Sequence, residues 1–195
     1  TNCLVMMKTA TNIPSENFSC LTRLDQERLA GFLVDSINTK YNNNCNETKK
    51  ATLEDIRNII IWGNHSNTQV PDVSNAEIFI RENIHAHSHW VKAEDILDHK
   101  LLYDELIPKV QTRGAQIIKA QGASSGMSAA NAIARHLRDW LGIGCGRKRG
   151  VSDMLPNEPI EKNIFSMAIC SNNNSYGIPE GLFFSFPCAY NFTKN

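Results

Sequence analysis

An uninterrupted apolar run restricts the fold of this chain more than any other feature of its sequence. The run covers residues 59–62 and is followed by Gly63 and a polar segment. A continuous apolar run bounded by turn residues is typical of a buried strand, and a glycine lets the chain turn sharply. The sequence therefore predicts a buried strand that ends at Gly63 and presents His65 on a rigid turn, open to a ligand.

The other elements are predicted from periodicity and from turn residues. Predicted helices cover 1–9, 18–34 and 127–141, with a broken helix over 90–121. Further strands are predicted over 70–80, 165–170 and 182–188, and surface loops over 38–50 and 142–163. Because the strands come in groups between helices and not in a strict βαβ alternation, we predict an α+β fold.

The helix predicted over 127–141 is strongly amphipathic. A segment of small residues at 122–126 joins it to the preceding helix. Its apolar residues fall on one side at helical spacing: Met127, Ala130, Ile133, Ala134, Leu137 and Leu141.

The charge balance argues against two classes of partner. The 195-residue chain has 20 lysines and arginines against 20 aspartates and glutamates. A formal charge of zero disfavours nucleic acid and polybasic membrane contacts, and no segment approaches the roughly 20 apolar residues of a spanning helix. The first residues have neither an initiator methionine nor a signal-peptide pattern, so we expect a chain that starts within a longer protein.

Six cysteines are scattered along the chain without a CxxC pair. This pattern favours free thiols in a reducing compartment over a disulfide framework. Five N-x-S/T sequons occur, one of them at Asn64 beside His65, where a glycan would block a site. We therefore expect the sequons to be unused.

Asp25, Arg28 and His65 form the first candidate site. An imidazole changes its protonation near neutral pH and is the usual general acid/base. A carboxylate on the other ring nitrogen would fix the tautomer, and an arginine can hold a substrate carboxylate through two parallel hydrogen bonds. On a helix Asp25 and Arg28 share a face, but this spacing is more often that of an ordinary surface ion pair, and a single histidine is more often structural.

Ser124 and Ser125 stand at the predicted start of the amphipathic helix. A helix N-terminus with hydroxyls and free N–H groups can bind an anion, although simple N-capping explains the same residues. A hydrolase could also be assembled from Ser125, His65 and Asp25, but we expect no G-x-S-x-G nucleophile turn to support it. Neither common glycine-rich phosphate loop occurs in the sequence.

Three alternating histidines, His85, His87 and His89, suggest a metal site. In an extended strand their imidazoles would share one face. No convincing ligand set is completed by neighbouring residues. We therefore expect an exposed polar loop and no metal.

A series of motifs resembles the second half of the cytosolic-type malate dehydrogenases, within the lactate/malate dehydrogenase family. The motifs are colinear with the family pattern and span nearly the whole chain. They are TNC at 1–3, NFSCLTRLD at 17–25, IIIWGNHS at 59–66, TQ at 68–69, PDV at 71–73, VQTRGA at 110–115, SSGMSAA at 124–130, HLRD at 136–139, SYGIP at 175–179 and FSFP at 184–187. Segments 38–50 and 144–163 depart from the pattern and are expected to be insertions.

This resemblance implies roles for five residues. His65 corresponds to the catalytic histidine, and Asp25 to the aspartate that orients it. Arg28 corresponds to the arginine that binds the substrate carboxylate. Ser125 is assigned to the substrate, and Ser124, together with His65, to the cofactor.

The resemblance also implies a fold and an activity. The fold is the family's C-terminal domain, with helices packed on twisted antiparallel strands, in a chain that lacks the Rossmann partner domain. The parent enzyme is expected to interconvert malate and oxaloacetate by hydride transfer to and from NAD, with a small dicarboxylic acid as substrate. It is expected to be a cytoplasmic homodimer, and this chain alone is expected to be inactive.

Two alternatives stay open. A lactate dehydrogenase of the same family would carry the same residues, because the loop that selects between the two acids lies outside this chain. A non-catalytic interaction fragment could have kept the fold.

Overall fold

The computed structural model describes residues 2–42, 50–80, 88–143 and 164–189. Every strand pair within these ranges is antiparallel, which confirms the α+β prediction. The helices are α1 (Asn2–Thr9), α2 (Arg23–Asn42), α3 (Ala93–Ile96), α4 (Leu106–Gln121) and α5 (Gly126–Trp140). The strands are β1 (Ile56–Arg57), β2 (Ile60–Trp62), β3 (Val70–Asp72), β4 (Glu77–Ile80), β5 (His89–Lys92), β6 (Ile164–Cys170) and β7 (Phe183–Ala189).

Helix α2 begins later than the sequence predicts. The prediction placed its start at residue 18, whereas the structure starts it at Arg23. The preceding segment is extended because Cys20 pairs with Ala168 of β6. Tertiary pairing therefore overrides a helical pattern that continues through this segment.

The same helix also ends later than predicted. It continues to Asn42, into the segment from residue 38 that was predicted as a loop. Ile37 is buried in the core there. The side-chain amide of Asn38 donates to the carbonyl of Ala51 at 3.1 Å and accepts the Ala51 N–H at 2.9 Å. These contacts anchor the last turns of the helix, although their sequence is polar.

The single strand predicted over 70–80 is two strands in different sheets. Strand β3 pairs with β2, whereas β4 lies between β1 and β5. The chain reverses between them at Asp72, whose Oδ1 accepts hydrogen bonds from the amide and the hydroxyl of Ser74. The broken helix predicted from residue 90 starts only at Ala93, because Trp90 belongs to β5 and pairs with Phe79.

Strands β6 and β7 form the longest hairpin of the described residues, close to the predicted bounds. They pair over seven residues each, from Ile164 opposite Ala189 to Cys170 opposite Phe183. The middle of β6 is buried at four consecutive positions, 165–168. Because consecutive residues point to opposite faces, this hairpin is covered on both sides.

The main core lies between α2, the sheets and α4. Its fully buried side chains include Leu29 and Leu33 from α2, Ile61 from β2, Ile78 from β4 and Val110 from α4. The core therefore fixes α2, which carries Asp25 and Arg28, against β2, which leads into the turn of His65.

Helix α5 packs through small and polar residues. Its buried residues are Ala132, His136 and Asp139. The predicted apolar side points to solvent instead: Met127 is 88% exposed and Leu141 is 61% exposed. The predicted helix is correct, but its apolar stripe lies opposite the face that packs on the domain.

The prediction of free thiols is wrong for two cysteines. Cys3 and Cys20 form a disulfide, with Cα atoms 6.4 Å apart. Their spacing of 17 residues gave no sign of this, because the contact depends on how α1 folds back. Cys170 and Cys188 are free, and the remaining two cysteines lie outside the described residues.

None of the helices in the described part of the chain combines the length and the apolar character that a bilayer crossing requires.

Candidate active site

Asp25 enters the site from the first turn of α2. The helix starts after Thr22, whose carbonyl accepts the Asp25 amide at 3.2 Å. A carboxylate in the first turn is stabilised by the partial positive charge of the helix N-terminus. The Asp25 side chain is fully buried, so it is not a residue of an ordinary surface ion pair.

His65 lies on the turn between β2 and β3. These strands pair from Ile60 opposite Asp72 to Trp62 opposite Val70. Gly63 has φ of 92°, in a region that residues with a Cβ avoid, and allows the chain to leave β2 sharply. The strand predicted at 59–62 and its glycine turn are therefore confirmed.

The imidazole of His65 bonds to the buried carboxylate. Its Nδ1 donates to Asp25 Oδ2. The other ring nitrogen, Nε2, is left for a ligand, and the His65 side chain is 55% exposed. The hydrogen bond that Nδ1 donates to Asp25 raises the pKa of His65. Burial lowers this pKa, the negative charge of Asp25 raises it and the positive charge of Arg28 lowers it. The pair therefore favours the imidazolium, as a proton acceptor requires.

Arg28 completes the group from the next turn of α2. Its Nη1 donates to Asp25 Oδ1 at 2.9 Å, so one carboxylate binds both the arginine and the histidine. Its Nη2 lies 3.5 Å from Ser125 Oγ. A Cβ on Gly114 of α4 would lie 3.6 Å from Nη1. The guanidinium is thus held between three elements and is 12% exposed.

The two candidate serines differ in their surroundings. Ser125 is the residue before α5, yet its side chain makes no capping hydrogen bond and instead faces Arg28. Ser124 is exposed, and its carbonyl accepts the Gly126 amide at 2.9 Å. The capping interpretation therefore fails for the Ser125 hydroxyl, which belongs to the site.

The geometry disfavours the hydrolase alternative. Across the ranges that the structure describes, no hydrogen bond joins Ser125 to His65, whose partner is Asp25. The letters G-x-S-x-G do occur at 122–126, centred on Ser124, but this segment joins two helices. A nucleophile turn of that kind follows a strand.

Of the three alternating histidines, the described part of the chain includes His89. His85 and His87 lie outside the described residues. His89 begins β5 and pairs with Ile80. No group of three ligand-type side chains that could hold a metal exists among the described residues.

Arg23, the motif residue without an assigned role, lies in a buried cluster between α2 and α5. Its Nη1 is 2.7 Å from Asp139 Oδ2. Next to this pair, Ser19 Oγ lies 2.8 Å from Nε2 of the buried His136. This cluster explains why α5 buries polar residues.

Sequence reasoning missed two buried polar residues, Gln26 and Ser166, that hydrogen-bond α2 and β6 to the β2 segment next to the site. Gln26 accepts the Ser166 amide at 2.8 Å and donates to the Ile59 carbonyl at 3.3 Å. Ser166 Oγ accepts the Ile61 amide at 2.9 Å. The available signal was a serine inside an apolar strand, which must find a partner when it is buried.

Residues 22–194 match the family described as lactate/malate dehydrogenase, alpha/beta C-terminal domain. The chain belongs to this family. The resemblance read from the motifs is therefore confirmed, and so is the fold that it implies.

Curated members of the family include cytoplasmic malate dehydrogenases. The enzyme of Gallus gallus is 41% identical over 188 residues, and that of Homo sapiens is 39% identical over 189 residues. Each alignment covers 96% of this chain and 46% of the relative. The chain therefore spans about half the length of the family members that it matches.

Solved structures of the family have the same fold. Malate dehydrogenase from Naegleria fowleri is 33% identical, with a TM-score of 0.66 over 95% of this chain and 46% of that one. Lactate dehydrogenase from Trichomonas vaginalis, in complex with NADH and oxamate, is 30% identical, with a TM-score of 0.72 over 98% and 48%. Both activities of the family are thus represented among its structural neighbours.

Proposed function

We propose that this chain is the catalytic half of an NAD-dependent malate dehydrogenase, which interconverts malate and oxaloacetate. One observation carries the proposal: a buried carboxylate bonds to the His65 imidazole and to the Arg28 guanidinium on the open face of one domain. The sequence similarity to cytoplasmic malate dehydrogenases supports the choice of substrate and a cytoplasmic location.

The residues of the chain divide the reaction between them. Arg28 binds a carboxylate of the substrate, which places the reacting carbon beside the imidazole. Nε2 of His65 takes the proton of the malate hydroxyl and returns it in the reverse direction. Asp25 holds Nδ1–H, so that Nε2 is the basic nitrogen, and stabilises the imidazolium. Ser125 holds the guanidinium from its other side.

NAD would supply the hydride acceptor. The residues present fit one end of it: His65 is exposed beside the buried Asp25, and Ser124 is exposed next to Ser125 in the sequence. The chain has no glycine-rich phosphate loop. We propose that the nicotinamide approaches this exposed side and that the rest of the dinucleotide is bound by a domain outside this sequence. Of the proposed insertions, 38–50 falls partly and 144–163 wholly outside the described residues.

We further propose that the parent enzyme is a homodimer that uses the apolar stripe of α5. Ile133 and Leu137 are 48% and 43% exposed there, in line with Leu141. Large exposed apolar side chains in a continuous row are typical of an interface. A second copy of the chain fits this stripe because it would present the same apolar surface.

The test of the activity is an assay of the full-length protein that contains this chain. We expect NADH oxidation with oxaloacetate to exceed that with pyruvate, and His65→Ala to abolish it. Equal or greater activity with pyruvate would support lactate dehydrogenase. Full activity of the His65 variant would refute the assigned proton transfer, and complete inactivity of the wild type would favour the interaction fragment.

A further inference from the structure

One row of backbone pairing connects the segments that carry His65 and Asp25. Ser185 of β7 pairs with Ala168 of β6. On its other side the Ser185 amide donates to the Gly63 carbonyl at 2.5 Å, and the Gly63 amide donates back at 3.4 Å. Ala168 in turn pairs with Cys20. The row therefore runs from the turn before the histidine, through the hairpin, to the segment before α2.

The Ser185 side chain makes a second, direct link. Its Oγ lies 2.8 Å from Thr22 Oγ1. Thr22 is the residue whose carbonyl accepts the Asp25 amide at the start of α2. Ser185 thus holds Gly63 with its backbone and Thr22 with its hydroxyl. These two residues precede the histidine by two positions and the aspartate by three.

Both hydroxyls are fully buried, at 0% for Ser185 and 1% for Thr22. A buried hydroxyl costs free energy unless it has a partner, and each is the other's partner. An alanine and a valine would fill similar volumes without that requirement. The hydrogen bond between the two hydroxyls therefore fixes the distance between β7 and the segment before α2, which packing of apolar side chains alone would not do.

Other contacts keep the domain together independently of this pair. Gln26 and Ser166 tie α2, β6 and the β2 segment together through three further hydrogen bonds. Loss of one hydroxyl is therefore expected to shift the ends of α2 and β2 without detaching them. Hydrogen bonds weaken steeply with distance and angle, so such a shift acts first on the bond between Asp25 and His65.

We infer that Ser185, through its hydrogen bond to Thr22, is the positioning residue that aligns Asp25 with His65. The inference rests on the proposed function, since it concerns the pair that transfers the proton. Ser185 belongs to the hairpin behind the site and acts only through the two segments that it joins.

The test is a pH titration of the histidine ring signals by NMR on the full-length protein that contains this chain, labelled in its histidines. Thr22→Val keeps the shape of the side chain and removes the hydroxyl, whereas Thr22→Ser keeps the hydroxyl. We expect Thr22→Val to move the pKa of His65 down toward its ordinary value, because the bond to Asp25 is weakened. We expect Thr22→Ser to retain the wild-type value.

Ser185→Ala removes the other partner and has a matched control. Ser171 is equally buried and lies just past the end of β6. Its Oγ donates to the Pro179 carbonyl at 2.7 Å and accepts the Leu182 amide at 3.0 Å. Ser185→Ala is expected to lower the pKa of His65, and Ser171→Ala to leave it unchanged at a comparable loss of stability.

The double variant Thr22→Val/Ser185→Ala distinguishes one shared bond from two separate effects. We expect its shift to equal that of either single variant. A His65 titration that stays at the wild-type value in folded Thr22→Val and Ser185→Ala, or shifts that add in the double variant, would overturn the inference. The titration needs no turnover, so an inactive parent protein would refute the proposed function and leave this test intact.

Discussion

Asp25 is the residue on which the site depends most. Its two oxygens are divided between His65 Nδ1 and Arg28 Nη1, and its side chain is fully buried. A buried carboxylate that accepts hydrogen bonds from two side chains fixes the position of both. The proposed acid/base residue, His65, and the proposed substrate-binding residue, Arg28, are therefore positioned by one group.

The first prediction concerns Asp25→Asn in the full-length enzyme. The carboxylate raises the pKa of His65, so its loss should lower that pKa. Malate oxidation needs neutral His65 and rises with pH through this pKa, whereas oxaloacetate reduction needs the imidazolium and falls above it. Both pH–rate midpoints are expected to move to lower pH, with kcat reduced about 10²- to 10⁴-fold.

Asp72→Asn is the control for that prediction. Asp72, the last residue of β3, is also a hydrogen-bonded carboxylate, but its partners are Trp62 and Ser74. The pH–rate midpoints of the Asp72→Asn enzyme should match those of the wild type. Unchanged midpoints in Asp25→Asn would show that the carboxylate does not control the histidine.

The second prediction concerns Arg28→Lys. A lysine keeps the charge but loses the planar fork that binds a carboxylate through two bonds. We expect kcat/KM for oxaloacetate to fall about 10- to 100-fold, the range for one charged hydrogen bond. Arg57→Lys is the matched control, because Arg57 pairs with Glu77 and covers Trp90. An equal loss in both variants would contradict a substrate contact.

At the scale of elements, α2 carries Asp25 in its first turn and a glycine, Gly31, in its interior. A Cβ on Gly31 would meet nothing within 4 Å. Gly31→Ala should therefore raise the free energy of unfolding by about 1 kcal/mol through helix propensity, measured by urea denaturation. Gly63→Ala should lower it by roughly 1–3 kcal/mol, because φ of 92° strains any side chain. Equal effects of the two substitutions would contradict this difference.

The contact between α2 and α5 should be sensitive to acid. Burial lowers the pKa of His136, the Asp139 charge opposes this and the Arg23 charge adds to it. Below the ordinary histidine pKa of about 6.5, the unfolded chain binds more protons at this residue than the folded one. Stability must therefore fall as pH decreases through this range.

His136→Gln should reduce that acid dependence in urea unfolding between about pH 6.5 and 5. His65 acts in the opposite sense, because its pKa is raised in the folded state. Its contribution is complete below about pH 6.5 and is lost as pH rises through the folded pKa. An acid slope that is identical in wild type and His136→Gln would contradict the assignment.

At the scale of the whole molecule, α5 packs on the domain with its polar face. Arg23, Asp139 and His136 form the buried contact, and the apolar stripe is left outside. If a second copy covers the stripe, Ile133→Glu/Leu137→Glu should lower the mass measured by sedimentation velocity to that of a monomer. Leu53→Glu, at a site 42% exposed on another element, should not. A wild-type monomer, or a variant that stays dimeric, would contradict the homodimer.

Local patterns predicted those parts of the fold whose partners are close in sequence. The strand predicted at 59–62, which forms as Ile60–Trp62, and its glycine turn depend on neighbouring residues, and both occur in the structure. The ends of α2 were mispredicted because Cys20 and Asn38 bond to residues far along the chain. The split of 70–80 was missed because β3 and β4 pair in different sheets.

By itself the sequence determined the family, the α+β class and the three residues of the candidate site. Motif order and residue chemistry are local properties, so they can be read from the chain. Only the tertiary structure decided that Asp25 is buried between His65 and Arg28 and that Ser125 faces the arginine. It also decided that α5 turns its apolar stripe outward and that Ser185 bonds to Thr22 and Gly63, in the segments that precede Asp25 and His65. These contacts lie between segments far apart in the chain, and their geometry depends on packing that no single segment specifies.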